Sequence, residues 1–182
     1  ICVIEQPTLE SAQAIFDHRG IRLLCVTGGP GVARAALGSR KRAIVAGPGN
    51  PPVVVDETAD FENAAKSVVA GAAYDNNLLC IGEKQLFIVE SAFDAFAEAL
   101  PRHGGYRLDH RQVEALTKAA FVAADGQPGQ LVVNKKLLGQ DAQVLADQIG
   151  LRLPAGAVLL YGETDAQHPF VQIEQMMPFI PL

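Results

Sequence analysis

The strongest constraint on the fold lies at the start of the chain, where short apolar runs alternate with a capped helical pattern across short links. Residues 1–5 read as a buried strand. Residues 8–18 read as a helix with Pro7 before it and Thr8 as its N-cap, and residues 21–27 as a second strand. A strand, helix, strand unit builds a parallel sheet through a right-handed crossover, so residues 1 to about 40 are expected to form the edge of an α/β sheet.

The alternation continues down the chain. Residues 53–56 read as a strand, and Asp60 caps a helix whose Phe61, Ala64, Ala65, Val68, Val69 and Ala72 recur at helical spacing. Residues 85–90 read as a strand, Ser91 as the cap of a helix through Leu100, and residues 109–120 as an amphipathic helix. Residues 124–130 read as a loop, 131–133 as a short strand, 141–149 as a helix and 157–161 as a strand. A polar loop over 162–169 then leads into an extended or irregular stretch over 170–177 that contains Glu174. The expected class is α/β, with a largely parallel sheet flanked by helices.

Composition excludes several function classes. The 182 residues carry a net charge of −5, unfavourable for non-specific nucleic-acid binding, and no basic patch with interleaved aromatics appears, so no nucleic-acid partner is expected. The apolar runs fall far short of the roughly 20 residues that span a bilayer, so no membrane is expected either. Cys2, Cys25 and Cys80 are odd in number and far apart. They make neither a disulfide framework nor a Cys-x-x-Cys metal signature, which fits a reducing cytoplasm and no metal. Ile1 opens one apolar segment and Leu182 closes another; since chains seldom begin and end inside core-like segments, a piece of a longer polypeptide is expected.

Three stretches invite chemistry. Thr27-Gly28-Gly29-Pro30-Gly31-Val32 is a glycine-rich turn at the carboxyl end of a strand, opening a short helix over 33–37, where backbone N–H groups can approach a phosphate. It is neither Gly-x-Gly-x-x-Gly nor a Walker loop, and it reads equally as a tight connection. After the basic cluster Arg40, Lys41 and Arg42, read as solvated surface, comes Gly47-Pro48-Gly49-Asn50-Pro51-Pro52. This rigid non-helical loop suits an active-site wall or a structural corner. In the third stretch, residues 74–84, Asp75, Asn76 and Asn77 break a helix ahead of a lone Cys80, which reads as a nucleophile or as a small buried hydrophobe.

Together these segments resemble the aldehyde dehydrogenase superfamily, and more closely its coenzyme-A-acylating branch, the propionaldehyde and acetaldehyde dehydrogenases of propanediol and ethanolamine utilisation. The resemblance covers essentially the whole chain. It is carried by Val26-Thr27-Gly28-Gly29-Pro30-Gly31-Val32, by Ala46-Gly47-Pro48-Gly49-Asn50-Pro51-Pro52-Val53-Val54-Val55-Asp56, and by Asp75-Asn76-Asn77-Leu78-Leu79-Cys80-Ile81-Gly82-Glu83-Lys84. His168-Pro169-Phe170, followed by Glu174-Gln175-Met176-Met177-Pro178, occupies the place of the family's Glu-x-Phe-Gly-Pro segment.

The resemblance implies that Cys80 is the catalytic nucleophile, attacking an aldehyde, passing hydride to NAD and holding the acyl group as a thioester until coenzyme A takes it. Only a thiolate attacks well, so the site needs a nearby cation, a base or N–H donors; Lys84 is a candidate, or else a surface charge. Ala46 falls where hydrolytic relatives carry the Glu that activates water. A methyl group cannot serve as that base, which fits acyl transfer to a thiol. Gly47 and Pro48 with Ala46, and Asn77, are implied as active-site walls. Gly28, Gly29 and Gly31 fall at the turn that meets the cofactor phosphates, with Gly29 and Pro30 replacing a hydroxyl pair and Ala33 the last glycine. Glu174 matches the carboxylate that ligates the nicotinamide ribose, with Met176 in place of the usual Phe.

By the same resemblance, residues 1–40 are the C-terminal edge of the NAD-binding domain and 41–182 a catalytic domain truncated at its C-terminus. The chain alone is expected to be inactive. The full-length protein is implied to be a cytoplasmic homo-oligomer acting on a short-chain aldehyde and CoA, with a bacterial microcompartment as one setting. Two readings of other classes stay open: a catalytically silent structural or interaction fragment, and a cofactor-free thiol acyltransferase built on Cys80.

Overall fold

The structure is a computed structural model that describes residues 1–126 and 129–182; Gln127 and Pro128, within the loop expected over 124–130, lie outside the described residues. The chain divides into two compact units, Ile1–Pro48 and Gly49–Leu182.

In the first unit, helix α1 (Leu9–Asp17) starts as expected. Thr8 Oγ1 accepts from the Ser11 N–H at 3.1 Å and Ser11 Oγ accepts from the Thr8 N–H at 2.9 Å, a reciprocal cap that satisfies two donors the helix leaves free. The parallel crossover lies one element further on than the sequence pattern predicts. Strands β1 (Leu23–Thr27) and β2 (Arg42–Ala46) pair in parallel from Leu23 opposite Arg42 to Thr27 opposite Ala46, and helix α2 (Pro30–Gly38) connects them. Residues 1–4 form no strand and are exposed. An apolar run becomes a strand only where a neighbour completes its backbone ladder, and β1 is paired with β2 instead. Within the basic cluster Lys41 is not merely solvated: its Nζ donates to the carbonyls of His18 at 2.7 Å and Ile21 at 2.8 Å, tying down the link between α1 and β1.

In the second unit, strand β3 (Pro52–Val55), helix α3 (Phe61–Ala72) and strand β4 (Gln85–Ile88) make another parallel pair, with Val55 opposite Ile88. Asp60 caps α3, accepting from the Asn63 N–H at 3.1 Å. Helix α4 (Glu90–Ala99) has Val89, not Ser91, at its N-cap. The Val89 N–H still donates to the Val55 carbonyl at 3.0 Å, so the ladder runs directly into the helix and Ser91 falls inside its first turn. A 3-10 turn, Leu100–His103, ends at Gly104 with φ +98°, a left-handed conformation that suits glycine.

Strand β5 (Gly105–Arg107) joins β8 (Leu159–Gly162) and β9 (Phe179–Pro181) in a parallel sheet of order β5-β8-β9. Helix α5 (His110–Ala120) carries a second reciprocal cap, between Asp109 and Gln112. Strands β6 (Phe121–Ala123) and β7 (Leu131–Val133) form the antiparallel exception, followed by helix α6 (Ala142–Asp147). The stretch expected to be extended over 170–177 opens instead with a helical turn, α7 (Pro169–Gln172), because His168 Nδ1 caps the Phe170 N–H at 3.3 Å and Pro169 is pre-set for a first helical position. It becomes irregular only beyond Gln172.

Two apolar cores hold this unit. Ala65, Val68, Val69 and Ala72 of α3 pack with Val55, Leu86, Phe96 and Tyr161, and the Tyr161 hydroxyl donates to the Ala97 carbonyl at 3.2 Å. In the second core Phe170 meets Phe121 edge-on at 4.8 Å and Phe179 at 4.2 Å between ring centroids, beside Val113, Leu116 and Leu145. Burying each such large side chain contributes about 1.5–3 kcal/mol, which anchors α7 ahead of Glu174.

Candidate active site

Helix α3 ends where Asp75, Asn76 and Asn77 take φ values of 47°, 52° and 60°. Asp and Asn tolerate this left-handed region better than other side chains, and successive use of it turns the chain off the helix axis. A tight turn follows: the Gly82 N–H donates to the Leu79 carbonyl at 3.1 Å, leaving Cys80 and Ile81 at the corner. Cys80 is exposed there, so the alternative of a small buried hydrophobe does not hold.

Beneath this turn lies a polar clamp. Asn77 and Lys84 are both 0% exposed. Lys84 Nζ donates to the Asn77 carbonyl at 2.7 Å and to Asn77 Oδ1 at 2.5 Å, while Asn77 Nδ2 donates to the Glu83 carbonyl at 3.0 Å. The reading of Lys84 as a surface charge is overturned. Burial pushes its ammonium below the usual 10.5, while the neighbouring Glu174, Cys80 and Glu83 oppose the shift. The Lys84 N–H also donates to the Pro51 carbonyl at 2.9 Å, joining the clamp to the proline-rich loop.

Glu174, half-buried, sits on backbone gripped from both sides. Asn50 Nδ2 donates to the carbonyls of Val171 and Ile173 at 3.0 Å each, and Asn50 Oδ1 accepts from the Gln175 N–H at 3.3 Å. Gln85 Nε2 adds a bond to the Val171 carbonyl at 2.8 Å, and the buried Gln175 donates to the Phe179 carbonyl at 2.9 Å. Gly139 links the two halves of the site. Its carbonyl accepts from Asn76 Nδ2 at 3.0 Å and its N–H donates to the Met176 carbonyl at 2.9 Å. Sequence reasoning missed Asn50, Gln85, Gly139 and Gln175. The one sequence signal was a polar amide set among prolines and glycines at Asn50.

The other predicted residues lie together in the first unit, at the carboxyl edge of the β1–β2 pair. The Gly28 N–H donates to the Ala46 carbonyl at 3.2 Å, which brings the glycine turn beside Ala46, Gly47 and Pro48. Helix α2 begins at Pro30, earlier than expected, with Gly29 at its N-cap and no side-chain cap. Pro30 stands at the head of the helix, where a missing N–H costs no helical bond. A Cβ added at Gly29 or Gly31 would meet nothing within 4 Å, so this edge is open to a ligand. Among the described residues, no cluster of His, Cys, Asp or Glu could hold a metal, and no helix is long and apolar enough to cross a membrane.

Comparison with known proteins gives a consistent picture. The model of the aldehyde dehydrogenase family matches residues 1–104. The acetylating acetaldehyde dehydrogenase of Salmonella typhimurium is 42% identical over the whole chain, which spans 39% of that relative. A propionaldehyde dehydrogenase from the fucose utilisation bacterial microcompartment of Clostridium phytofermentans superposes with a TM-score of 0.86 at 36% identity, over 99% of this chain and 40% of that one. A Rhodopseudomonas palustris propionaldehyde dehydrogenase, solved with bound CoA and an acylated cysteine, gives 0.82 at 38% identity, over 98% of this chain and 39% of that one. The chain thus spans well under half the length of each of these relatives.

Proposed function

Because the chain belongs to the aldehyde dehydrogenase family, we propose that it is the nucleophile-bearing part of a CoA-acylating aldehyde dehydrogenase, which oxidises a short-chain aldehyde to an acyl-CoA with NAD. The observation that carries this reading is Cys80, exposed at the corner of a turn whose two ends are clamped together by Asn77 and Lys84.

Cys80 Sγ, as thiolate, forms a bond to the aldehyde carbon, and the carbonyl oxygen takes up a proton to give a thiohemiacetal. NAD, when bound, supplies the acceptor for the hydride that leaves the same carbon, and the hydroxyl proton departs. Cys80 is then a thioester. The thiol of CoA adds to its carbonyl carbon, the carbon–sulfur bond to Cys80 breaks, and the acyl group leaves on CoA with the thiol restored. Ala46 offers no base for water, which favours this outcome over hydrolysis.

The residues present fit a dinucleotide. The carboxyl edge of β1 and β2, with uncapped N–H groups at the start of α2 and no Cβ at Gly28, Gly29 and Gly31, suits a pyrophosphate. Glu174 would accept hydrogen bonds from ribose hydroxyls, and Ala46, Gly47 and Pro48 would wall the glycine turn in the first unit; Asn77 is fully buried and walls no open surface, supporting the turn of Cys80 from beneath instead. In this reading residues 1–40 are the C-terminal edge of the NAD-binding domain and 41–182 belong to the catalytic domain. The full-length protein would be a cytoplasmic homo-oligomer, with a bacterial microcompartment, the setting of the Clostridium phytofermentans relative, as one location.

The test uses the full-length protein with propionaldehyde, NAD and CoA. Propionyl-CoA is the expected product, and Cys80→Ala should abolish its formation. Release of free propionate without CoA at the same rate would overturn the proposal, and acyl exchange between thiols with no reduction of NAD by propionaldehyde would favour the thiol acyltransferase reading.

A further inference from the structure

Apolar packing holds the turn that carries Cys80 only in part. Leu78 and Leu79 are 43% and 40% exposed, and Ile81 next to the sulfur is 80% exposed. The polar bonds at the ends of the turn supply the rest of its order. The entrance is Asn77, held at a positive φ, and the exit is Lys84, joined to it by two hydrogen bonds from Nζ, with a return bond from Asn77 Nδ2 to the Glu83 carbonyl beside it. Gly82 lies against the same amide: a Cβ there would sit 2.8 Å from Asn77 Oδ1.

The choice of lysine is informative. Lysine is almost never fully buried unless paired, and Lys84 forms no ion pair among the described residues. Both acceptors of its Nζ belong to one neutral residue. A buried cation held by neutral oxygens is a poor way to gain stability, since an apolar side chain of similar volume does that better. It does specify one geometry. Its donors reach the backbone and the side chain of Asn77 at once, which an apolar side chain cannot do.

We propose that Lys84 acts with Asn77 as a positioning residue for Cys80, holding the turn so that the sulfur meets the bound aldehyde in a single orientation. The inference rests on the reading of Cys80 as the nucleophile. Lys84 touches no substrate in this role. It acts through Asn77 and Gly82 on the placement of the turn between the Asn76–Gly139 bond on one side and the Lys84–Pro51 bond on the other.

The experiment compares wild type, Lys84→Met and Asn77→Asp in the full-length protein. Asn77→Asp keeps both oxygens for Lys84 but loses the bond to Glu83. Positioning predicts that Lys84→Met lowers kcat for propionyl-CoA formation by about ten- to a hundredfold, since small misplacements of a reacting group have effects of that order. The KM for propionaldehyde should stay within about twofold, as expected when an interaction specific to the transition state is lost. Alkylation of Cys80 by iodoacetamide, a small reagent that needs no such orientation, should proceed at close to the wild-type rate, and Asn77→Asp should fall between. A lower melting temperature with unchanged kcat per folded molecule would overturn the proposal. So would alkylation falling in step with kcat. Should Lys84→Met fail to fold, Asn77→Asp is judged by the same criterion, unchanged kcat counting against. Turnover that survives Cys80→Ala would instead sink the reading of the nucleophile, a separate outcome.

Discussion

Asn50 and Gln175 lie far apart in the sequence, yet Asn50 Oδ1 accepts the Gln175 N–H at 3.3 Å while its Nδ2 holds the carbonyls of Val171 and Ile173. One amide thus sets the backbone on both sides of Glu174. Replacing Asn50 with Ala removes these bonds and leaves partly buried backbone groups unpaired, at a cost of about 1–3 kcal/mol. A thermal melt of Asn50→Ala should show that loss. If Glu174 binds ribose, the KM for NAD should also rise; an unchanged KM would separate Glu174 from cofactor binding.

Two glycines near the clamp should respond differently to alanine. At Gly82 a Cβ would press on Asn77 Oδ1 at 2.8 Å, and that atom is buried and held by Lys84. Gly82→Ala should therefore destabilise by about 1–3 kcal/mol, as overpacking does. At Gly71 the clash is with the Glu83 carboxylate, as near as 2.0 Å, but this is the free end of a half-buried side chain that can rotate away. Gly71 lies within α3, where alanine is favoured over glycine by about 1 kcal/mol. Gly71→Ala should leave the melting temperature near wild type, and a large loss would mean that Glu83 is fixed.

His168 gives the fold a pH dependence. Its Nδ1 accepts the Phe170 N–H, its Nε2 meets Thr117 Oγ1 at 3.3 Å, and the Thr117 hydroxyl hydrogen goes to the Val113 carbonyl. The neutral ring protonated at Nε2 satisfies all three bonds. Burial holds His168 below the usual 6.5; nearby Asp165 opposes the shift and His110 reinforces it. The unfolded chain therefore binds the proton more readily than the native one, so this contribution is complete above pH 6.5 and declines as pH falls below it. Melting temperatures measured across that range should fall less steeply for His168→Asn, which can still cap α7. Identical slopes would count against it.

Cys2, Cys25 and Cys80 are all exposed, so access alone does not distinguish them. Incubation with propionyl-CoA should acylate Cys80 and spare the other two, as read by peptide mass spectrometry, and NAD should slow the alkylation of Cys80 selectively. Equal modification of the three would argue against a dedicated nucleophile.

Much of the fold was legible because its signals are local. Thr8 and Asp60 cap the helices their positions predict, Asp109 caps the helix expected to begin at it, and α3 buries the face its spacing describes. The break at Asp75, Asn76 and Asn77 ahead of Cys80 was legible for the same reason, since left-handed residues announce a turn without help from the rest of the chain.

What only the tertiary structure decided depends on partners distant in sequence. An apolar pattern over residues 1–5 could not reveal that β1 pairs with β2, and Ser91 could not reveal that the β3–β4 ladder runs on to Val89. Nor could the sequence show that Lys84 turns inward onto Asn77, or that Asn50 reaches across to the segment bearing Glu174. Caps and turns are satisfied within a few residues and can be read from them. Ladders and buried polar clamps are satisfied only by groups that folding brings together, so the sequence by itself placed Cys80 on its turn and the tertiary structure determined what holds that turn.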